Sequence, residues 1–111
     1  MKPAEFIAES LALGTCAHLK HLSTTSYAEH MALGSFYEAL PGLVDSYAEV
    51  YQGLTGLIKK YPVAQCTELD LEEYLESLPQ VETLDSPALE NIVAEIEQLT
   101  AQTIYKLRFL D

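Results

Sequence analysis

The sequence lacks tryptophan, is poor in basic residues and contains no long apolar run. It has 17 acidic but only 6 basic residues, which gives a net charge of −11. This charge argues against direct binding to nucleic acid, which requires a basic surface. No apolar stretch approaches the length of a membrane span, and the N-terminus shows no signal-peptide pattern. We therefore expect neither a nucleic-acid partner nor a membrane association.

Cysteine is also scarce, since the chain contains only Cys16 and Cys66. We interpret them as reduced thiols of a cytoplasmic protein in preference to a disulfide framework. The length of 111 residues corresponds to a single domain, 1–111. A hydrophobic fraction of 49% is enough for a core, although association helps so short a chain.

Strand and hairpin signals are absent, whereas helical periodicity is strong. A first helix is predicted from Pro3 to about Leu22. Ser26 and Glu29 form a capping-box pattern at the start of a second helix, about 26–57. The apolar residues of that helix recur by alternating steps of three and four, which predicts packing along one face: Leu33, Phe36, Leu40, Leu43, Tyr47, Val50, Leu54 and Leu57.

The prolines and the helix-capping residues complete an all-α prediction. Pro41 lies inside the second helix, but the apolar repeat keeps its phase across it, which favours one kinked helix over two. Thr67 is expected to cap a short acidic helix that Pro79 ends, and Ser86 with Pro87 starts the last helix. We expect an antiparallel bundle of two long N-terminal helices, a short third helix in the crossover and a long C-terminal helix.

The candidate ligands lie apart from the predicted core of the second helix. On a helical wheel, His30, Asp45 and Glu49 share one side and the apolar repeat occupies roughly the other. The ligand side also carries small or apolar residues, which predicts a partner subunit there, most simply across a two-fold axis: Met31, Gly34, Pro41, Gly42 and Ala48. Alternatively, the carboxylates are simply exposed to solvent and His30 is an ordinary helix histidine.

Two further histidines lie on the first helix, His18 and His21, in an H-x-x-H pair. Such a pair alone is a weak metal signal. A lone His18 is more often a hydrogen-bonded core residue than a ligand, and His21 could simply cap the end of the helix.

The spacing H-x11-H-x14-D-x3-E, formed by His18, His30, Asp45 and Glu49, resembles the ferroxidase ligand pattern of the Dps-type mini-ferritins. The resemblance covers about residues 16–53. It implies a ferritin-like bundle whose iron site lies between two subunits, with these four residues as metal ligands and the chain at least a homodimer. Gly34 stands where that family usually has an aspartate.

The resemblance implies an iron-binding protein that oxidises Fe(II), although zinc or manganese would also accept two imidazoles and two carboxylates. Whether the chain is an enzyme stays open, because the substitution at Gly34 also fits an alternative function. In that alternative, a ferritin-like scaffold without catalysis acts as a protein–protein interaction module. A third hypothesis, an acidic decoy for a nucleic-acid-binding protein, rests only on the net charge and ranks last.

Overall fold

The computed structural model describes residues 1–111, and all of its regular secondary structure is helical. The predicted all-α bundle is confirmed at this level. None of the helices combines the length and the hydropathy needed to cross a membrane. The elements, in chain order, are α1 (Pro3–Ser23), α2 (Tyr27–Thr55), α3 (Leu71–Ser77), a short 3-10 helix (Leu78–Gln80) and α4 (Pro87–Phe109).

The helix starts follow local hydrogen bonding. The Glu29 N–H donates to Ser26 Oγ at 3.2 Å, and the Leu89 N–H donates to Ser86 Oγ at 3.4 Å, so both predicted N-caps are confirmed. The third helix is different, because its N-cap is Asp70, whose Oδ1 accepts from the Glu73 N–H. The prediction that Thr67 caps this helix is therefore wrong.

The long second helix is the centre of the bundle, and it packs against α1 on one side and α4 on another. It runs unbroken through Pro41, as predicted. The buried core draws on all the helices and on the linker that precedes α4: Phe6, Ile7, Leu13, Ala17, Leu33, Phe36, Leu40, Val44, Tyr47, Leu71, Leu78, Val81, Leu89 and Ile96.

The apolar repeat of α2 extends one turn beyond the core. Leu54 and Leu57 were predicted to pack, but they are 58% and 73% exposed. The helix stops at Thr55 because Gly56 follows with a φ of +127°, a backbone conformation that favours glycine. The chain therefore leaves the bundle before a neighbour can cover these side chains.

Aromatic contacts tie three helices and the linker together in the C-terminal half of α2. The Phe6 ring meets the Tyr47 ring edge-on, with centroids 4.9 Å apart, and stacks on the Tyr74 ring at 6.5 Å. The Tyr47 hydroxyl donates to the Glu82 carbonyl at 2.7 Å, and the Tyr74 hydroxyl lies 2.7 Å from Ser10 Oγ. Burial raises the pKa of Tyr74 to about 12.

This burial predicts a loss of stability in alkali. The unfolded chain releases the Tyr74 proton near pH 10, whereas the folded chain retains it to about pH 12. The unfolded state binds fewer protons in that interval, so the free energy of unfolding falls as pH rises, by up to roughly 3 kcal/mol from this residue. Urea unfolding measured across the interval should show the decline.

A conservative substitution isolates the contribution of this phenol. Tyr74→Phe should make the decline less steep without abolishing it, because burial also raises the pKa of the Tyr47 phenol and of the Cys66 thiol. Tyr27→Phe should leave the decline unchanged, because Tyr27 is 76% exposed. Equal alkaline slopes for the wild type and Tyr74→Phe would show that the phenol is not held neutral by the fold.

Candidate functional site

The three histidines lie together where α1 turns into α2. The rings of His21 and His30 stack with centroids 3.7 Å apart. His21 Nδ1 lies 2.5 Å from the His30 carbonyl, and His30 Nδ1 lies 2.8 Å from the His21 carbonyl. A carbonyl oxygen only accepts hydrogen bonds, so each Nδ1 must carry a proton. The pair therefore joins the end of α1 to the start of α2 by reciprocal bonds.

Glycine at position 34 makes this stack fit. A Cβ atom at Gly34 would lie 3.0 Å from His21 Cε1 and 3.3 Å from His21 Nδ1, closer than most real contacts. The His21 ring is thus held between His30 on one side and the bare backbone of α2 on the other. His18 packs on the next turn, where its ring stacks on Tyr37 with centroids 3.8 Å apart.

Within the chain, the four predicted ligands do not meet. His18 and His30 lie at the hairpin, whereas Asp45 and Glu49 are exposed on the later half of α2. Asp45 lies 15 residues beyond His30, or about 22 Å along the helix. No group of three or more histidine, cysteine, aspartate or glutamate residues could hold a metal ion. A ligand role for these four residues between subunits stays a prediction, in which His30 could offer only Nε2.

The face of α2 assigned to a partner subunit is partly covered by α1 of the same chain. Gly34 is buried beneath His21, and Pro41 and Ala48 are half-buried. Gly34 therefore accommodates a side chain of α1, and the prediction that it admits a partner backbone is corrected. Met31 and Gly42 remain exposed, and association of two chains stays a prediction.

A second feature is an open groove beside α1 and α2. Residues 56–70 have no regular structure and run between α2 and α3. Their start is held to α2, because the Ile58 N–H donates to Gln52 Oε1 at 2.9 Å. The groove that this segment forms with the two helices has a volume of about 490 Å³, and its lining is mostly apolar: Ile7, Ala8, Leu11, Ala12, Thr15, Asp45, Ala48, Tyr61, Pro62 and Ala64.

The rim of this groove is unusual for so acidic a protein. Val63 is 92% exposed, directly after two groove residues. Lys59 and Lys60 precede them and are exposed. The structure contains one salt bridge, between Arg108 and Glu72, so neither lysine is paired. An apolar groove beside unpaired positive charge is suited to a segment with apolar and acidic side chains.

The same segment brings the two cysteines together. Cys66 interacts with the Cys16 thiol, and both residues are free thiols. Burial, together with the neighbouring Cys16 thiol, raises the pKa of the Cys66 thiol to about 12, and Cys66 Sγ donates to the Glu68 carbonyl at 3.4 Å. Fifty residues separate the two positions, and the sequence offers no pattern that predicts their contact.

The comparisons with known proteins assign a family. Residues 21–107 match DUF5856, a family of unknown function, and the chain belongs to it. It is also 27% identical over 105 residues to an uncharacterized 14.6 kDa protein from the mobD-ri intergenic region of Enterobacteria phage T4. That alignment covers 95% of this chain and 69% of the phage protein. No solved structure matches the chain.

These findings overturn the mini-ferritin resemblance. The matching family is DUF5856, and no ferritin or Dps family matches. The two histidines of that pattern have other contacts here, since the His18 ring stacks on Tyr37 and His30 exchanges hydrogen bonds with His21 across the hairpin. The position where an aspartate ligand was missing, Gly34, receives the His21 ring.

The contact between Gly34 and His21 predicts a coupling that can be measured. In a His21→Ala background, Gly34→Ala should stabilise the protein by about 1 kcal/mol, because alanine favours helix more than glycine does. In the wild-type background the added Cβ meets the His21 ring, so the gain should be cancelled or reversed. Urea denaturation of the four proteins gives the coupling free energy.

A coupling of about 1 kcal/mol or more supports the described packing. If Gly34→Ala stabilises the wild type as much as it stabilises the His21→Ala protein, the ring does not lie against Gly34. The exposed Gly53, which has open space where a Cβ would be added, gives a matched control.

The hydrogen-bonded hairpin also predicts that its stability does not depend on a metal. The melting temperature should be the same in EDTA and in a tenfold excess of Zn²⁺ over protein, since a bound ion would add stability by mass action. Thermal unfolding of the wild type and His30→Ala provides the measurement. A Zn²⁺-dependent rise that disappears in His30→Ala would instead support the ligand role of His30.

Proposed function

We propose that this protein is a small non-catalytic helical module that binds a segment of another protein in the groove between α1, α2 and residues 56–70. The observation that carries the proposal is the groove itself, with its apolar lining and the two unpaired lysines that directly precede Tyr61 in the chain. The proposal keeps the interaction function that was the alternative hypothesis from the sequence. It drops the ferritin-like scaffold that the alternative assumed.

The apolar lining supplies the driving force for binding. Leu11 is 41% exposed and Tyr61 is 39% exposed, so a ligand side chain would remove surface of both from water. Burial of apolar surface stabilises a complex by about 25 cal/mol per Å² before the cost of association. A few well-placed apolar side chains of a partner are therefore expected to dominate the affinity.

The charged residues near the groove are expected to orient the bound segment. Lys59 and Lys60 lie beside the groove in sequence, and Asp45 lines it. An acidic residue of the partner would be attracted to the lysines and repelled by Asp45, which selects one direction for the bound segment. Exposed charge pairs contribute little energy individually and weaken with salt, so they should affect association rate more than final affinity.

The length of the connecting segment also supports a binding role. Residues 56–70 form a structureless connection of the length that compact domains rarely use without a function. The relative from phage T4 supports a search for the partner among bacterial and phage proteins. Iron oxidation has lost its support, because it was implied only by the mini-ferritin resemblance.

A site-specific photo-crosslinker at Val63 tests the groove directly. We expect it to capture a defined partner from bacterial lysate, and Leu11→Asp should abolish capture because it places a charge in the apolar lining. Lys59→Glu combined with Lys60→Glu should reduce capture several-fold at low salt and less at high salt. The captured partner is identified and its crosslinked peptide sequenced.

A matched control uses the same crosslinker at Glu76, an exposed position on α3 away from the groove residues. The proposal requires that the crosslinked peptide contain both apolar and acidic residues. Equal capture from the two positions, or capture that Leu11→Asp does not reduce, would overturn it.

A further inference from the structure

The outward face of α4 is an uncharged stripe on a strongly acidic protein. Its members are all exposed to solvent and lie within about 80° of one another on the helical wheel. We define this α4 stripe by the following residues: Asn91, Ala94, Gln98, Ala101, Tyr105 and Phe109.

The stripe is not the usual exposed face of a surface helix, which carries charged side chains. Tyr105 is 55% exposed and Phe109 is 67% exposed, and their rings lie against each other with centroids 5.8 Å apart. Nothing in the chain covers them. We propose that the α4 stripe binds the α4 stripe of a second copy of this chain, antiparallel and across a two-fold axis.

Side-chain size supports this pairing. The large residues of the stripe lie in the C-terminal half of α4 and the small ones lie towards its N-terminus. In an antiparallel pair centred between Gln98 and Ala101, Tyr105 of one copy lies opposite Ala94 of the other. Phe109 then lies opposite Asn91. Each aromatic ring therefore meets a small side chain, and the two helices can approach closely along the whole stripe.

Charge supports the same register. In a two-fold antiparallel pair, each flank of one helix meets the same flank of the other. Glu95 and Lys106 lie on one flank of the stripe, and the register places Glu95 of each copy opposite Lys106 of the other. On the second flank, Glu90 lies opposite Arg108, which also contacts Glu72 of its own chain. All four of these residues are exposed.

The remaining acid beside the stripe does not oppose the pairing. In this register Glu97 meets no acidic residue of the second copy within one helical turn. The net charge of −11 makes two copies repel over most of their surface. An uncharged stripe with reciprocal ion pairs on its flanks is the part of the surface where that repulsion is smallest.

Reversal of one charge pair tests the pairing against general charge effects. Glu95→Lys should weaken dimerisation at least about tenfold, because it places a lysine opposite Lys106, even though the variant is less negative overall. Lys106→Glu should also weaken it. The double variant restores opposite charges and should return the dissociation constant to within about threefold of the wild type. Sedimentation equilibrium measures all four proteins.

The control is Glu76→Lys, which makes the same charge change on the exposed face of α3 and should not weaken dimerisation. A wild-type protein that stays monomeric at hundreds of micromolar would overturn the proposal. So would a double variant no tighter than the single variants. Circular dichroism checks that each variant is folded.

A crosslink gives a second readout that does not depend on charge. Gln98→Cys, in a Cys16→Ser and Cys66→Ser background, places one thiol near the two-fold axis of the pair. Mild oxidation with a low-molecular-weight disulfide should give a covalent dimer through thiol–disulfide exchange. Thr15→Cys in the same background, on α1, should remain uncrosslinked. Equal crosslinking of both variants would overturn the pairing. Leu11→Asp should not affect this crosslinking. The dimer proposal and the groove proposal can therefore be overturned independently.

Discussion

The reciprocal bonding of His21 and His30 is the constraint on which the rest of the structure depends. Two backbone carbonyls at the connected end of the α1–α2 hairpin receive imidazole N–H groups, and the two rings stack. The bond from His30 satisfies the His21 carbonyl, which is one of the last four carbonyls of α1 and has no partner within that helix. It also fixes how α1 lies along α2, because Gly34 lets the His21 ring contact the backbone of α2.

From that contact the packing continues along both helices. His18 stacks on Tyr37, Gly14 lies where an added Cβ would be in ordinary contact with Leu40, and Phe6 meets Tyr47 at the far end. The second helix presents another face to α4 and therefore packs against two helices. The groove beside α1 and α2 exists because the chain after Gly56 does not continue the helix and instead crosses the bundle surface.

The sequence was sufficient to predict the helices but not their partners. Caps such as Ser26 and Ser86 are local signals, and local hydrogen bonds confirmed them. The apolar periodicity of α2 correctly placed Leu33, Phe36 and Leu40 in the core. It extended the core too far at Leu54 and Leu57, because a repeat does not show where neighbouring helices stop.

The site was harder to predict, since its contacts join residues that no spacing rule relates. The wheel correctly separated two faces of α2, but it could not show that His21 of the same chain covers the second face at Gly34. Histidine spacing along two helices is compatible with metal ligation and with hydrogen bonds across the hairpin. Only the three-dimensional structure shows which atom each ring nitrogen contacts. Cys16 and Cys66 illustrate the same limit, because their contact depends on the path of an irregular segment.

The most direct test of the central claim is the tautomeric state of the two histidines, read from long-range ¹H–¹⁵N correlation spectra of the ring nitrogens. The structure predicts that in the neutral rings of both His21 and His30 the proton is on Nδ1, and that these protons are protected from solvent exchange by the carbonyls they contact. Neutral rings protonated at Nε2, or Nδ1 protons that exchange freely with water, would contradict it.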